Sequence, residues 1–365
     1  LQAGGRAVLS HARAAGLLAG LLLREGRYEE SLPYFEALNR LEPDNVAGHV
    51  DHGRALARLE RIETAAKAFG RALALQPDDA PVRVQRASLL VDLKDYEAAL
   101  TDLDAALSLP APAPLRIAAL HLRARAYLAL RRFEEALADT DAAIAVDPEN
   151  SRGHYLRARG LVALGRVDEA RLALERTIAI DPNADAPRYM LSMLQLRRRD
   201  FKNGWRNYER RWKVSWFLRE SNAMVPAAIA PRLSLDNQPD DFNGKSILVI
   251  AEQGVGDQIM FSSILPDLVS RASKVTFVSV PKPMALFKAS FPTVDFIPPL
   301  PSLRIGAFDK VIALGSLAYA FRNRLEDFPG APYLRPRDDV IEAWKARLGP
   351  KTTRLRVGLS WQGGT

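Results

Sequence analysis

Four phrases decide the fold: LEPDN at 41–45, LQPDD at 75–79, VDPEN at 146–150 and IDPNA at 180–184. Pro43 and Pro77 lie 34 residues apart, and so do Pro148 and Pro182. The 71 residues between Pro77 and Pro148 hold two more such periods plus a three-residue insertion near Pro112–Pro114. A fixed period of this length marks a stack of like supersecondary units, none of which buries its apolar face alone. Within each period Gly26-Arg-Tyr28, Lys94-Asp-Tyr96, Arg132-Phe133 and Gly165-Arg-Val167 read as the turn between two helices. Three residues after the apolar residue of each turn stands a small one, namely Ser31, Ala65, Ala99, Ala136 and Ala170, where helices must approach closely. Phe35, Phe69, Leu103 and Leu174 follow four residues later on the same helical face and fill the gap to the next helix.

This combination of period, small-residue crossings and closing proline resembles the tetratricopeptide repeat (TPR). On that resemblance residues 12–184 hold five repeats and 185–212 a modified sixth, so that 12–212 form one α-helical TPR solenoid. Stacked hairpins present an elongated groove to a partner. In the family the ninth position of each repeat faces that groove, and here it is Arg54, Ser88, Arg125 and Arg159. The arginine line Arg54, Arg125 and Arg159 is expected to read a protein or peptide partner that is acidic or ends in a carboxylate, because guanidinium binds carboxylate bidentately. The alternative is that they are solubilising surface arginines.

Bulk properties bound the remaining classes. A length of 365 residues suggests two domains, and the apolar and charged fractions (48% and 26%) are those of a globular chain. Cysteine is absent, which excludes disulfides and thiolate metal sites. The longest apolar run, Ala14 to Leu23, is too short to span a bilayer, so no transmembrane segment and a cytoplasmic location are expected. The first residue is Leu1 rather than Met, which places the expected true N-terminus upstream and leaves an export signal open. The net charge of +8 is spread through arginine-rich amphipathic helices, an argument against nucleic acid as partner. The densest basic stretch, 197–213, reads as a solvated helix face. His49 and His52 are three apart on one helix, but nothing joins them in register and a packing role is expected, so no metal site is assigned.

After Asp185 the texture changes. Trp205, Tyr208 and Trp212 fall on one helical face, read as an aromatic stripe that caps the array and docks the next domain. Residues 213–243, with Pro226, Pro231 and Pro239, read as a linker. From 244 to 355 strand and helix alternate: strands at 246–251, 274–280, 294–297 and 310–314, and helices at 257–272, 283–291, 317–324 and 340–348. A further strand is expected at 356–360, before Trp361, a packing residue. Such alternation implies an α/β, Rossmann-like parallel sheet whose ligands sit beyond the carboxyl ends of its strands.

The loop after the first strand, Glu252-Gln-Gly-Val-Gly-Asp257, stands in that position. It is not a dinucleotide fingerprint, since Ile259 replaces the third glycine, and Gly244-Lys245-Ser246 precedes its strand and so is no P-loop. Gly-Trp-x-x-Tyr-Glu-x-Arg-Trp at 204–212 and Glu-Gln-Gly-Val-Gly-Asp-Gln at 252–258, with Ala331-Pro-Tyr-Leu334 and Val357-Gly-Leu-Ser-Trp361, resemble a bacterial family of TPR-linked glycosyltransferases. Its catalytic part is similar to heptosyltransferases and, distantly, to protein O-GlcNAc transferases, all of the GT-B fold. The resemblance implies that 244–355 is the acceptor-side N-terminal half of a GT-B fold and 356–365 the start of a missing donor-binding half. It implies inverting, metal-independent transfer from a nucleotide-sugar donor, with no cofactor, to an acceptor recruited by the TPR groove, the chain being an incomplete fragment. Asp257 aligns with the family's Gly-Asp motif and would be the general base; the competing role is a helix N-cap. Gly254 and Gly256 are expected to serve backbone approach or positive φ, and Gln253 and Gln258 to hydrogen-bond the acceptor. Asp-x-Asp pairs occur only in the repeats, at Asp102/Asp104 and Asp139/Asp141. The other reading of the whole chain is a non-catalytic TPR scaffold with a degenerate transferase domain.

Overall fold

The computed structural model describes residues 9–214, 217, 233, 237–299 and 305–349. Most of the expected linker 213–243, and the expected strand at 356–360 with Trp361, lie outside them. The chain divides into two compact units, 1–187 and 188–365.

The first unit contains five antiparallel helical hairpins: α1 (Ala12–Arg24) with α2 (Tyr28–Leu41), α3 (Val46–Arg58) with α4 (Ile62–Leu75), α5 (Ala80–Asp92) with α6 (Tyr96–Ser108), α7 (Ala113–Ala129) with α8 (Phe133–Val146), and α9 (Ser151–Ala163) with α10 (Val167–Ile180). The closing phrases start the next helix. Asn45, Asp79 and Asn150 cap α3, α5 and α9 by accepting the backbone N–H of Gly48 (2.8 Å), Val82 (2.9 Å) and Gly153 (3.1 Å). Each first helix ends on a residue of positive φ: Gly26, Glu60, Lys94, Arg131 and Gly165. The step of 37 rather than 34 residues from Lys94 to Arg131 absorbs the insertion, and α7 is longer by the extra turn.

The five small crossing residues, and Phe35, Phe69, Leu103 and Leu174, are all buried. Gly53 lets Phe69 in: a Cβ there would stand 2.8 Å from the ring. The Asp-x-Asp pairs prove to be an ionic ladder between helices. Asp102, fully buried, takes Arg86 (2.6 Å) and Arg83 (3.1 Å) from α5, while Asp104 takes Arg123 of α7 at 2.6 Å. Arg123 also pairs with Asp139 of α8, and Asp141 takes Arg157 of α9 at 2.7 Å. The first carboxylate of each pair thus grips its own hairpin and the second grips the next. Removing Asp102 would strand two arginines, a loss of about 3–5 kcal/mol.

The second unit contains most of α11 (Asp185–Arg197), then α12 (Phe201–Tyr208), which runs into a 3₁₀ turn at Glu209–Lys213. Its sheet comprises β1 (Ser246–Ile250), β2 (Lys274–Val278), β3 (Asp295–Ile297) and β4 (Lys310–Ala313), all parallel, in the order β3-β2-β1-β4. Ile247, Leu248, Val249 and Ile250 are buried on both faces, as a central parallel strand requires. With the sheet come α13 (Val255–Ser262), α14 (Leu265–Val269), α15 (Pro281–Ser290) and α16 (Leu317–Phe321), and then α17 (Asp338–Leu348), which has no buried residue. The single helix expected at 257–272 is two, because Pro266 lacks the N–H that would continue the first.

The division at Pro187/Arg188, rather than after Trp212, has a local cause. Trp205 donates to the carbonyl of Arg322 at 2.7 Å, and Tyr208 accepts from Gln253 at 2.8 Å, so α12 belongs to the α/β unit. No helix among the described residues is long and apolar enough to cross a membrane.

Candidate functional site

In the first unit, the first helices of successive hairpins share one face with two adjoining concavities. One, of about 520 Å³, is bordered by Arg54, Arg58, Gln85 and Ser88 with Leu23, Tyr28 and Phe69. The other, of about 550 Å³, is bordered by Gln85, Ser88, His121, Arg125, Asn150 and Arg152 together with Val84, Leu115 and Leu122. Among the described residues four arginines line the two spaces and no carboxylate does. Arg54 borders the first space and Arg125 the second, with Ser88 on both. Arg159 is exposed on α9 and borders neither space. Arg54 is partnered by Asp51 at 2.9 Å and Arg125 by Asp92 at 3.2 Å, both solvated pairs worth little.

The histidines pack. His49 bonds the carbonyl of Pro43 at 2.7 Å, and His52 stacks on Phe35 while meeting Asn39 at 3.2 Å. Burial first, then the neighbouring His49 and Arg71, hold the His52 pKa down at about 4. No cluster of three or more metal-ligating side chains occurs among the described residues.

In the second unit the strand order reverses around β1, and the crevice beyond β1 and β4 is where parallel sheets take ligands. Here that crevice is occupied by the protein itself. Glu252, just past β1, accepts the backbone N–H of Gly315, just past β4, at 2.7 Å. A Cβ on Gly315 would fall 2.6 Å from the same carboxylate oxygen, so only glycine fits. Arg211 grips Glu252 through Nε (2.9 Å) and Nη2 (2.8 Å). It also donates to Glu209 (2.7 Å), to Ser316 (2.8 Å) and to the carbonyl of Tyr208 (3.1 Å). Ser316 in turn donates to Glu209 at 2.9 Å. Arg211 is 0% exposed and Glu209 5%, with the guanidinium 4.2 Å from the Tyr208 ring and 4.8 Å from that of Trp212.

Two carboxylates share one cation here. Burial lifts the Glu209 pKa above its ordinary value against the pull of Arg211. For Arg211 burial acts downward, but Glu252 and Glu209 outweigh it and the net shift is upward. The basic stretch 197–213, expected to be a solvated face, therefore contains a fully buried arginine.

The loop after β1 differs from the sequence reading at several positions. Positive φ falls on Gln253 (61°) and not on the glycines; Gly254 is extended (φ −78°, ψ 174°) and serves as the N-cap of α13. Gln253 is tied down by the Tyr208 hydroxyl, which offsets the cost of a left-handed non-glycine residue. Asp257 is not the cap. It lies at the third position of α13, and its carboxylate reaches back 3.1 Å to accept the N–H of Gly254. Gly256 has open space where a Cβ would stand, so close backbone approach is not what it provides. Gln258 is 0% exposed and accepts from Ser279 at 3.1 Å, so it is a packing residue rather than one offered to an acceptor. Gly254 and Gly256 are exposed, and Gln253, Val255 and Asp257 are half-buried.

Glu209, Arg211, Glu252 and Ser316 were not singled out from sequence. The signal was present, since the motifs at 204–212 and 252–258 hold all of them but Ser316. The Ala331–Leu334 motif behaves likewise: the hydroxyl of Tyr333 donates to the carbonyl of Ile259 in α13.

Comparison with known proteins gives a family for the first unit. Tetratricopeptide repeat models match residues 22–89, 80–111 and 121–185. The first unit is a tetratricopeptide-repeat array. The chain is 28% identical to Protein FlbA of Caulobacter vibrioides over 96% of its own length, and spans about half (55%) of that protein. It is 37% identical to the Protein O-mannosyl-transferase Tmtc3 of Drosophila melanogaster over 60 residues, which are 16% of this chain and 6% of that one. A tetratricopeptide repeat protein of Parabacteroides merdae superposes on 55% of this chain and 79% of its own, at 20% identity and a TM-score of 0.49. The repeat models identify the repeats, and none of these matches identifies the four-stranded parallel sheet of the second unit as half of a GT-B enzyme.

Proposed function

We propose that this chain is a TPR interaction protein whose array receives an extended partner segment bearing both carboxylates and apolar side chains. The observation that carries the reading is the lining of the two concavities: four arginines beside leucine, valine and aromatic surface, with no acidic residue among the described lining residues. A guanidinium fork recognises a carboxylate bidentately, and the apolar wall between forks takes the intervening side chains. Loss of one such charge-assisted contact costs about 1.5–3 kcal/mol, or about tenfold or more in affinity. The test is binding of fluorescent acidic-apolar peptides to the full chain and to variants in which Arg54, Arg125 and Arg159 become glutamate. Arg54→Glu and Arg125→Glu should each weaken binding about tenfold, and Arg159→Glu, outside both spaces, much less. Unchanged binding by the triple variant would sink the reading.

A second reading is favoured by the loop after β1. Asp257 and Gly254 stand partly exposed beyond the carboxyl end of a central parallel strand, where a reaction on a bound ligand is at home. In this reading the second unit is the acceptor-side, Rossmann-like half of a GT-B glycosyltransferase and Asp257 takes the acceptor hydroxyl proton as it attacks the donor sugar. Asp257 would have to release the Gly254 N–H to act. The chain spans about half the length of Protein FlbA, so the activity would belong to a longer parent. The test is nucleotide release from a panel of nucleotide sugars by that parent and its Asp257→Asn variant. Equal release from both proteins would exclude the base assignment.

A further inference from the structure

The second concavity has a charge arrangement of its own. Arg125 on α7 and Arg152 on α9 both border it, with Asn150 at the start of α9. Arg125 has only the exposed Asp92 as an acidic partner, from outside the lining, and Arg152 has no hydrogen-bond or ionic partner among the described residues. Arg152 is exposed on its outer side, yet desolvation by its surroundings, then the positive charge of Arg125, pull it below the usual arginine range, as expected of two cations facing one space. His121, 4% exposed, has an Nε2 without a hydrogen-bond partner. It is held neutral by burial and then by Arg152, with Asp147 opposing, so its pKa is lowered to about 4. A lone carboxylate entering this space would neutralise one guanidinium and leave the other uncompensated. A phosphomonoester brings close to two negative charges on one centre, with three acceptor oxygens to share between two forks.

We propose that the Arg125–Arg152 pair forms a subsite for a dianionic phosphomonoester, carried on a serine or threonine of the partner segment. The inference rests on the peptide-binding reading of the array and adds the chemistry at one point along it. The first concavity supplies the control, because Arg54 there already has Asp51 at 2.9 Å.

The experiment uses the full chain and three fluorescein-labelled peptides of one acidic-apolar sequence, differing only in a central serine, glutamate or phosphoserine. Anisotropy should show the phosphoserine peptide bound about tenfold more tightly than the serine peptide. Arg152→Gln should erase that gain and Arg54→Gln should keep it, with helical circular dichroism confirming that both variants fold. In parallel, inorganic phosphate should shift the His121 ring resonances in the wild type and not in Arg152→Gln. Equal affinity for the glutamate and phosphoserine peptides would overturn the dianion subsite while leaving the acidic-peptide reading in place. A phosphoserine gain that survives Arg152→Gln would overturn the placement of the subsite. Absence of binding by all three peptides, with no phosphate shift, would remove both readings.

Discussion

Replacing Arg211 by methionine tests the buried ion cluster most directly. Methionine keeps much of the volume between the Tyr208 and Trp212 rings but leaves Glu209 and Glu252 facing each other without a cation. Arg211 makes five hydrogen bonds, all within 3.1 Å, and is fully buried, so none of this is screened by solvent. Breaking a buried pair by removing one partner costs about 3–5 kcal/mol. With an m-value of about 2 kcal/mol per M, the urea midpoint should fall by about 2 M. Tryptophan fluorescence is the assay: all five tryptophans lie at residues 205, 212, 216, 344 and 361, so the signal reports on the second unit and is blind to the repeats. The deficit should also depend on pH. With the cation gone, the two carboxylates are relieved by taking up a proton, so the folded variant binds more protons than its unfolded chain. Its stability must therefore fall as pH rises, and the gap to wild type should be wider at pH 8 than at pH 5. Glu209→Gln is the companion, since it leaves one carboxylate to one guanidinium and keeps an acceptor for Arg211 and Ser316; its cost should stay near 1 kcal/mol. An Arg211→Met deficit below about 1 kcal/mol, or one unchanged between pH 5 and 8, would refute the reasoning.

Three further outcomes concern the repeats. Gly53→Val puts a branched side chain into a space where even a Cβ is 2.8 Å from the Phe69 ring, and should lower array stability by about 1–3 kcal/mol in urea melts followed by circular dichroism. Glu60→Gly removes a left-handed non-glycine residue (φ 58°) and should raise stability by about 0.5 kcal/mol after the added freedom of the unfolded chain is counted; a loss would show that the turn is not strained. His52, with its pKa near 4 in the fold, stays neutral while the unfolded chain protonates near 6.5, so array stability should decline as pH drops from 6.5 to 4. His52→Gln should remove its share of that decline and leave the share of His121, whose pKa is lowered likewise, and an identical pH profile for the variant would assign the effect elsewhere.

Much of the repeat array was legible because its determinants are local and periodic. A proline phrase, a left-handed turn residue, a small crossing residue and a large filler each recur at one spacing. Each acts on neighbours within a few residues, so the chain itself carries the period. The parallel strands were legible as continuous apolar runs for the same reason. Tertiary structure alone could give the roles of side chains whose partners are distant. Arg211 meets Glu252 across 41 residues and Ser316 across 105, with no periodic signature to join them. The basic run around Arg211 looks solvated until the two carboxylates are placed against it. Gln258 looks available for an acceptor until Ser279 is seen beside it in the core, and the Asp-x-Asp pairs have a place in the repeats but no role until Arg86, Arg123 and Arg157 are found on the adjoining helices. Local periodicity determines where helices and strands begin and end; the burial of charge is settled only when remote segments meet, because its cost depends on which opposite charge arrives with it.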